Sequence, residues 1–147
     1  MKVEIRLQEG CPEPHIILVA DHMTPELESL VKLLGQSPGS ALTGFHGSQA
    51  VRLEPEHLLR LYASRGKVYA VASEGQEYVI KARLYELETR LTPEDFVRIS
   101  NSELVNLRQV KGFDLSLAGT IRVTLSDGQT TYVSRRYVGK IKERLGL

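Results

Sequence analysis

Hydrophobic and polar residues alternate with the period of a β-strand in the first few residues of this chain. Val3, Ile5 and Leu7 would share one face of a strand over residues 2–7, because side chains of a strand point alternately to its two faces. The short apolar run over residues 16–20 predicts a second strand. We therefore expect the chain to begin with two strands.

A helix is predicted next. Thr24 and Pro25 suit the N-cap and the first helical position, and Gly35 suits the C-terminal cap. Between them the apolar residues recur with helical spacing at Leu27, Leu30, Val31 and Leu34. We expect residues 1–45 to form a strand–strand–helix extension. Dimerisation, regulation or the covering of an open sheet edge are its candidate roles.

Short strands separated by turn residues fill most of residues 46–147. Strands are predicted over residues 42–45, 50–53, 59–63, 68–72, 77–80, 96–99, 104–107, 112–117, 120–126 and 130–133. The dipeptide Asp127-Gly128 predicts a tight hairpin, because both residues tolerate positive φ. Helices are predicted over residues 82–91 and after Ser134, a candidate N-cap. The fold class is therefore mainly β, with small antiparallel sheets and short helices.

Composition and charge narrow the class of protein. A chain of 147 residues corresponds to one ordinary domain, or to one domain plus a short extension. Its single cysteine, Cys11, rules out an intrachain disulfide. The sequence has no signal-peptide pattern and no apolar run near 18 residues, so we expect a soluble cytoplasmic protein.

The net charge of +1 hides an uneven distribution. Residues 1–50 carry three basic and six acidic side chains, whereas residues 101–147 carry eight basic and four acidic ones. A basic end of this kind favours a polyanionic partner, and we expect the acidic first third to face away from it.

The residues needed for common enzyme chemistry are missing. His15, His22, His46 and His57 lack metal-ligand spacing, and the sequence contains no P-loop, dinucleotide-binding turn or nucleophile elbow. We expect no enzymatic activity, no cofactor, no metal site and no small-molecule substrate.

Three predicted turns carry hydrogen-bond donors suited to nucleic acid. They are the tetrapeptide Ser64-Arg65-Gly66-Lys67, residues 98–102, and the start of the last helix at residues 134–137. Backbone N–H groups and Ser hydroxyls bind phosphate, and Arg and Asn match the major-groove edges of guanine and adenine. Each segment also has a purely structural interpretation, since these are common turn and cap residues.

Residues 53–147 resemble the LytTR family of bacterial DNA-binding domains. The resemblance is carried by four stretches in register: Ala82-Arg83-Leu84-Tyr85-Glu86-Leu87-Glu88, Phe96-Val97-Arg98-Ile99-Ser100-Asn101-Ser102, Val105-Asn106-Leu107, and Gly128 through Tyr132-Val133-Ser134-Arg135-Arg136-Tyr137-Val138.

This resemblance implies an all-β fold whose inter-strand loops enter successive major grooves of DNA. It implies that Asn101 and Arg136 read bases. A third reader, a His in the best-described relatives, has no counterpart here, and Arg65 or Lys67 would have to replace it. Candidate phosphate contacts are Arg98, Ser102, Ser134, Arg135, Tyr137 and Lys140.

The resemblance implies a function as well. We expect a transcriptional regulator that binds double-stranded DNA sequence-specifically at promoter direct repeats, without a receiver domain because residues 1–50 are too few to form one. A homodimer remains open, and so does a membrane-protein regulatory partner of the kind that regulates some stand-alone relatives. The alternative is a protein–protein interaction or signalling module that does not read DNA directly.

Overall fold

A computed structural model describes residues 1–11, 15–35 and 41–147, which form two compact units, Met1–Gly35 and Gln36–Leu147. The smaller unit contains helix α1 (Pro25–Gly35). The N–H of Leu27 donates to Thr24 Oγ1 at 3.2 Å, which confirms the predicted N-cap. None of the helices in the described ranges is both long and apolar enough to cross a membrane.

The two strands predicted at the start of the chain were wrong. Residues 2–7 and 16–20 are irregular in the structure. The side chains of Val3, Ile5 and Leu7 are 83%, 85% and 94% exposed. An alternating pattern gives a strand only when a neighbouring strand accepts its backbone hydrogen bonds, and the described part of this unit contains none.

Two antiparallel sheets make up the larger unit. The large sheet consists of β1 (Leu42–His46), β2 (Gln49–Leu53), β3 (Leu58–Ser64), β4 (Lys67–Ala72), β5 (Glu77–Ile80), β6 (Phe96–Ser100) and β7 (Glu103–Asn106). Its strand order is β2-β1-β5-β4-β3-β7-β6. The small sheet has the order β10-β9-β8, from β8 (Val110–Asp114), β9 (Ile121–Leu125) and β10 (Thr130–Val133). The predicted mainly β fold class is confirmed.

Apolar side chains cover both faces of the large sheet. On one face, α2 (Leu84–Leu91) buries Leu87 and Leu91 in a core shared with Phe96 of β6. On the other face, the small sheet and α3 (Val138–Arg144) bury Val123 and Ile141 in a second core. The alternation of side chains along each strand supplies both cores, so the large sheet is the middle layer.

The larger unit begins before residue 46, where the boundary between the extension and the DNA-binding domain was expected. β1 pairs with β2 along its whole length, and its Gly44 and Phe45 face Ile80 and Val79 of β5. The strand therefore belongs to the large sheet. The assignment of residues 1–45 to a separate functional extension stays a prediction.

Two further predictions need correction. β8 ends at Asp114 and not at residue 117, because the backbone N–H and the hydroxyl of Ser116 donate to Asp114 Oδ1 at 2.9 and 2.6 Å and close a turn. The last helix begins at Val138, after a 3-10 turn over Arg135–Tyr137, and the side chain of Ser134 makes no capping hydrogen bond.

Asn106 fastens the end of β7 to the start of β3. This side chain is fully buried, its amide donates to the carbonyl of Leu58 at 2.9 Å, and its Oδ1 accepts from the N–H of Arg108 at 3.0 Å. A buried amide with its donors and acceptor satisfied fixes the two strands relative to each other.

Candidate nucleic-acid interface

The turn between β3 and β4 projects two cations from one end of the large sheet. Arg65 and Gly66 have φ values of 51° and 76°, both in the left-handed region, as a two-residue hairpin turn requires. Ser64 and Lys67 face each other across the hairpin. The side chains of Arg65 and Lys67 are exposed, which leaves both cations available to a ligand.

The turn between β6 and β7 lies beside this hairpin. β7 pairs with β3 so that Glu103 faces Tyr62, and the N–H of Ala63 donates to the carbonyl of Ser102 at 2.8 Å. Asn101 and Ser102 are therefore exposed at the same end of the sheet as Arg65.

The segment after β10 joins them. The N–H of Ser134 donates to the carbonyl of Ile99 at 2.8 Å, which holds this segment against the end of β6. The hydroxyl of Tyr137 donates to Asn101 Oδ1 at 3.0 Å. The three segments predicted from the sequence thus form one surface, here called the loop surface: residues 64–67, 100–102 and 134–137.

Arg98 lies behind the loop surface and not on it. Its guanidinium donates to the carbonyls of Ser100, at 2.7 Å, and Asn101. It also pairs with Glu88 of α2 at 3.3 Å, and the Arg98 side chain is only 14% exposed. These contacts shape the turn that presents Asn101. The phosphate contact of Arg98 stays a prediction.

Arg135 and Arg136 are both exposed but have different surroundings. The turn at Gly119, with φ of 73°, leaves room for the Arg135 guanidinium: a Cβ at Gly119 would lie 3.2 Å from Arg135 Nε. Among the described residues, none forms a hydrogen bond or ion pair with the Arg136 side chain, so its guanidinium is accessible.

In the part of the chain that the structure describes, no carboxylate forms an ion pair with the cations of the loop surface. Six arginines outside it have a carboxylate oxygen 2.9–3.4 Å away: Arg52, Arg60, Arg98, Arg108, Arg122 and Arg144. Within the described ranges, no carboxylate lies within salt-bridge distance of the five cations on or next to the loop surface, Arg65, Lys67, Arg135, Arg136 and Lys140. Such a surface attracts phosphate.

Two side chains outside the loop surface have shifted pKa values. Burial raises the pKa of Tyr62, and its hydrogen bond to Glu77 at 2.9 Å acts in the same direction. Hydrogen bonds from Ser116 lower the pKa of Asp114, and Arg122 adds to the effect. Both side chains belong to contacts between or within strands, so we assign them a structural role.

Glu88 and Gly119 also shape the site, although neither was predicted as a site residue. No local pattern in the sequence indicates that Glu88 pairs with Arg98 or that Gly119 makes room for Arg135, because each contact joins residues ten or more positions apart. The one local signal in the sequence is that residue 119 is a glycine, the residue that most readily adopts the positive φ found there.

Comparisons with known proteins agree on one family. The family described as LytTr DNA-binding domain matches residues 48–146. Proteins of Staphylococcus aureus strains COL and N315, both named as uncharacterized HTH-type transcriptional regulators, are 32% identical over the whole chain and 99% of their own length. A LytTr DNA-binding domain from Bacillus cereus superimposes with a TM-score of 0.70 at 24% identity, over 74% of this chain and 98% of that domain.

Proposed function

This chain belongs to the LytTR family of DNA-binding domains, and from that premise we propose that it is a transcriptional regulator that reads double-stranded DNA through the loop surface. The family is one of DNA-binding regulators and not of enzymes. The observation that carries the proposal is the convergence of three exposed, unneutralised segments at one end of one sheet. We propose that a single duplex engages all three at once.

Two residues are proposed to read bases. Arg136 presents an accessible guanidinium, whose paired donors match O6 and N7 of guanine. Asn101 presents an amide that is exposed and oriented by Tyr137, and an amide matches N6 and N7 of adenine. Arg65 and Lys67 are the candidates for the third reader, since both lie on the neighbouring hairpin.

The other residues of the loop surface, together with Lys140 of α3 and Arg98 behind the surface, are proposed to position the duplex. Phosphate contacts are assigned to Ser102, Ser134, Arg135 and Lys140, whose donors are exposed or half-buried around the two readers. Arg98 and Tyr137 are proposed to act mainly on the shape of the surface, because their polar atoms are engaged with the turn at Asn101.

A loop-based reading mode is favoured over a recognition helix. The S. aureus relatives carry the name HTH-type, but in the described part of this chain strands separate each α-helix from the next α-helix. A helix-turn-helix needs two helices joined by a short turn. We therefore propose that loops enter the major groove in this chain.

Enrichment of a random duplex library on the full-length protein tests this function. We expect a recurring sequence to emerge, and its affinity to fall as salt rises, with a slope of log K against log salt between about −2 and −4.5 if two to five cations contact phosphate. Enrichment without any preferred sequence, or an affinity indifferent to salt, would refute the proposal. A preferred sequence in two tandem copies would support the predicted direct repeats.

The predicted membrane-protein partner stays a prediction. A protein–protein interaction module that does not read DNA is the competing function, and the same library experiment separates the two. Only a DNA reader enriches a sequence.

A further inference from the structure

The unit Met1–Gly35 exposes apolar side chains that a folded unit would bury. Besides Val3, Ile5 and Leu7, the exposed set comprises Ile16, Ile17, Leu18, Val19, Met23, Val31 and Leu34. Domains below about 40 residues usually depend on a disulfide, a metal or a second chain. The single cysteine rules out a disulfide within this unit.

The alternating charges of residues 2–7 indicate which second chain fits. When two copies of this segment pair antiparallel about Ile5, Glu4 of each faces Arg6 of the other, and Val3 faces Leu7. A shift by two residues would place Glu4 opposite Glu4 and Lys2 opposite Arg6. Like charges directly opposite each other destabilise a sheet, so one register is selected.

We propose that two copies of this chain form a symmetric dimer through antiparallel pairing of residues 2–7 about Ile5. The pairing satisfies the backbone groups that leave this segment irregular in the single chain. Val3, Ile5 and Leu7 form its apolar face, and the exposed Val31 and Leu34 of α1 offer apolar surface for that face to cover in the dimer. A two-stranded ribbon is marginal alone, and packing against helices stabilises it.

Charge-reversal variants of the full-length protein test the register. Glu4→Arg and Arg6→Glu each create like-charge pairs in a dimer of identical chains, so each should shift sedimentation from twice the 16.4 kDa chain mass toward the single chain mass. Mixing the two variants in equal amounts should restore the dimer, because each chain then offers the charges that its partner lacks. Glu9→Arg, an exposed charge reversal outside the paired segment, is the matched control and should leave the mass unchanged.

The mixture distinguishes pairing between chains from pairing within one. Glu4 and Arg6 also form an ion pair within the chain at 3.6 Å, and mixing two variants cannot restore that contact. A wild-type protein with the single-chain mass at all concentrations would overturn the proposal. So would a dimer that both variants leave intact, or one that the mixture fails to restore. No DNA is used, so these results are independent of DNA binding.

A cross-link locates the two-fold axis. In a Cys11→Ser background, Ile5→Cys should oxidise to a disulfide-linked dimer, because Cα atoms of directly opposed residues lie about 4.5–5.5 Å apart, within the range of a disulfide. Lys2→Cys in the same background is the control, since it faces Gln8 and not its own copy. Equal cross-linking of both variants would contradict the register.

Discussion

Tyr137 was expected to contact phosphate, but in the structure its hydroxyl contacts Asn101. The hydroxyl donates to Asn101 Oδ1 at 3.0 Å and so distinguishes the two ends of the amide. The second lone pair of Oδ1 and both hydrogens of Nδ2 stay available to a base. We therefore propose that Tyr137 positions Asn101, and its phosphate contact stays a prediction.

Tyr137→Phe should weaken discrimination at the base pair that Asn101 reads. Loss of one hydrogen bond costs about 1 kcal/mol, or roughly fivefold in affinity for the preferred duplex, with little change on other sequences. Fluorescence anisotropy with matched and mismatched duplexes measures this. Tyr85→Phe, exposed on α2, is the control. An equal loss on every duplex would show that Tyr137 contacts phosphate instead.

Lys140 and Lys142 lie two residues apart on α3, and so point in nearly opposite directions from the helix axis. Only Lys140 is assigned a phosphate contact. Lys140→Ala should therefore reduce the salt slope of DNA binding by about one unit and weaken all sequences alike. The control, Lys142→Ala, removes the same charge and should leave the slope unchanged. Identical slopes for the two variants would remove Lys140 from the interface.

At the scale of elements, the turn between β6 and β7 depends on a side chain that also reaches α2. Arg98 bonds the carbonyls of Ser100 and Asn101 while it pairs with Glu88. A guanidinium with these acceptors is engaged on the protein side of the turn. The turn is thereby coupled to the core under the sheet.

Arg98→Met should loosen this turn without removing a phosphate contact. We expect weaker binding, faster hydrogen exchange at the Ser102 amide, and an unchanged salt slope. Glu88→Gln removes only the ion pair and should give the same pattern more weakly, which guards against an Arg98 variant that fails to fold. A salt slope lowered by about one unit would instead restore Arg98 as a phosphate contact.

Elements with strong local signals were predictable from the sequence. The predicted hairpin forms at Asp127-Gly128, although only Gly128 has a positive φ, at 87°. The N–H of Gln129 donates to Asp127 Oδ1 at 3.0 Å, and β10 spans Thr130–Val133 as predicted. A turn that requires positive φ identifies itself in a few residues, and the flanking alternation then sets both strands.

Elements whose outcome depends on distant partners were not predictable. Residues 2–7 carry as clear an alternation as any strand of the large sheet, but no described strand of their unit pairs with them. β8 stops at Asp114 because Ser116 turns the chain, although the apolar pattern continues to Leu117. Hydrophobic periodicity indicates which face of a strand could be buried, but whether that face is buried depends on a packing partner elsewhere in the fold.

The candidate site was likewise predictable from the sequence only in part. The exposure of Arg65, Asn101 and Arg136 follows from their places on turns, and the sequence indicates it. That they share one surface depends on the strand order, in which β3 lies beside β7. The contact of Tyr137 with Asn101 spans 36 residues of chain, and no local pattern encodes such a distance.

At the scale of the whole molecule, the nearly neutral net charge conceals a basic surface. Six arginines elsewhere in the larger unit pair with carboxylates, whereas in the described ranges the cations on and next to the loop surface have no carboxylate within salt-bridge distance. These unpaired cations add positive potential where the three segments meet. A duplex steered by this potential would arrive at the residues proposed to read it.

A base-pair substitution scan of the enriched duplex tests the central claim most directly. The scan compares the wild-type protein with Asn101→Ala and Arg136→Ala, measuring affinity for every single substitution. We expect each variant to lose about 1–3 kcal/mol of discrimination at one base pair, a different pair for each, and to keep the wild-type profile elsewhere. Profiles that parallel the wild type with a uniform offset would contradict base reading by the loop surface.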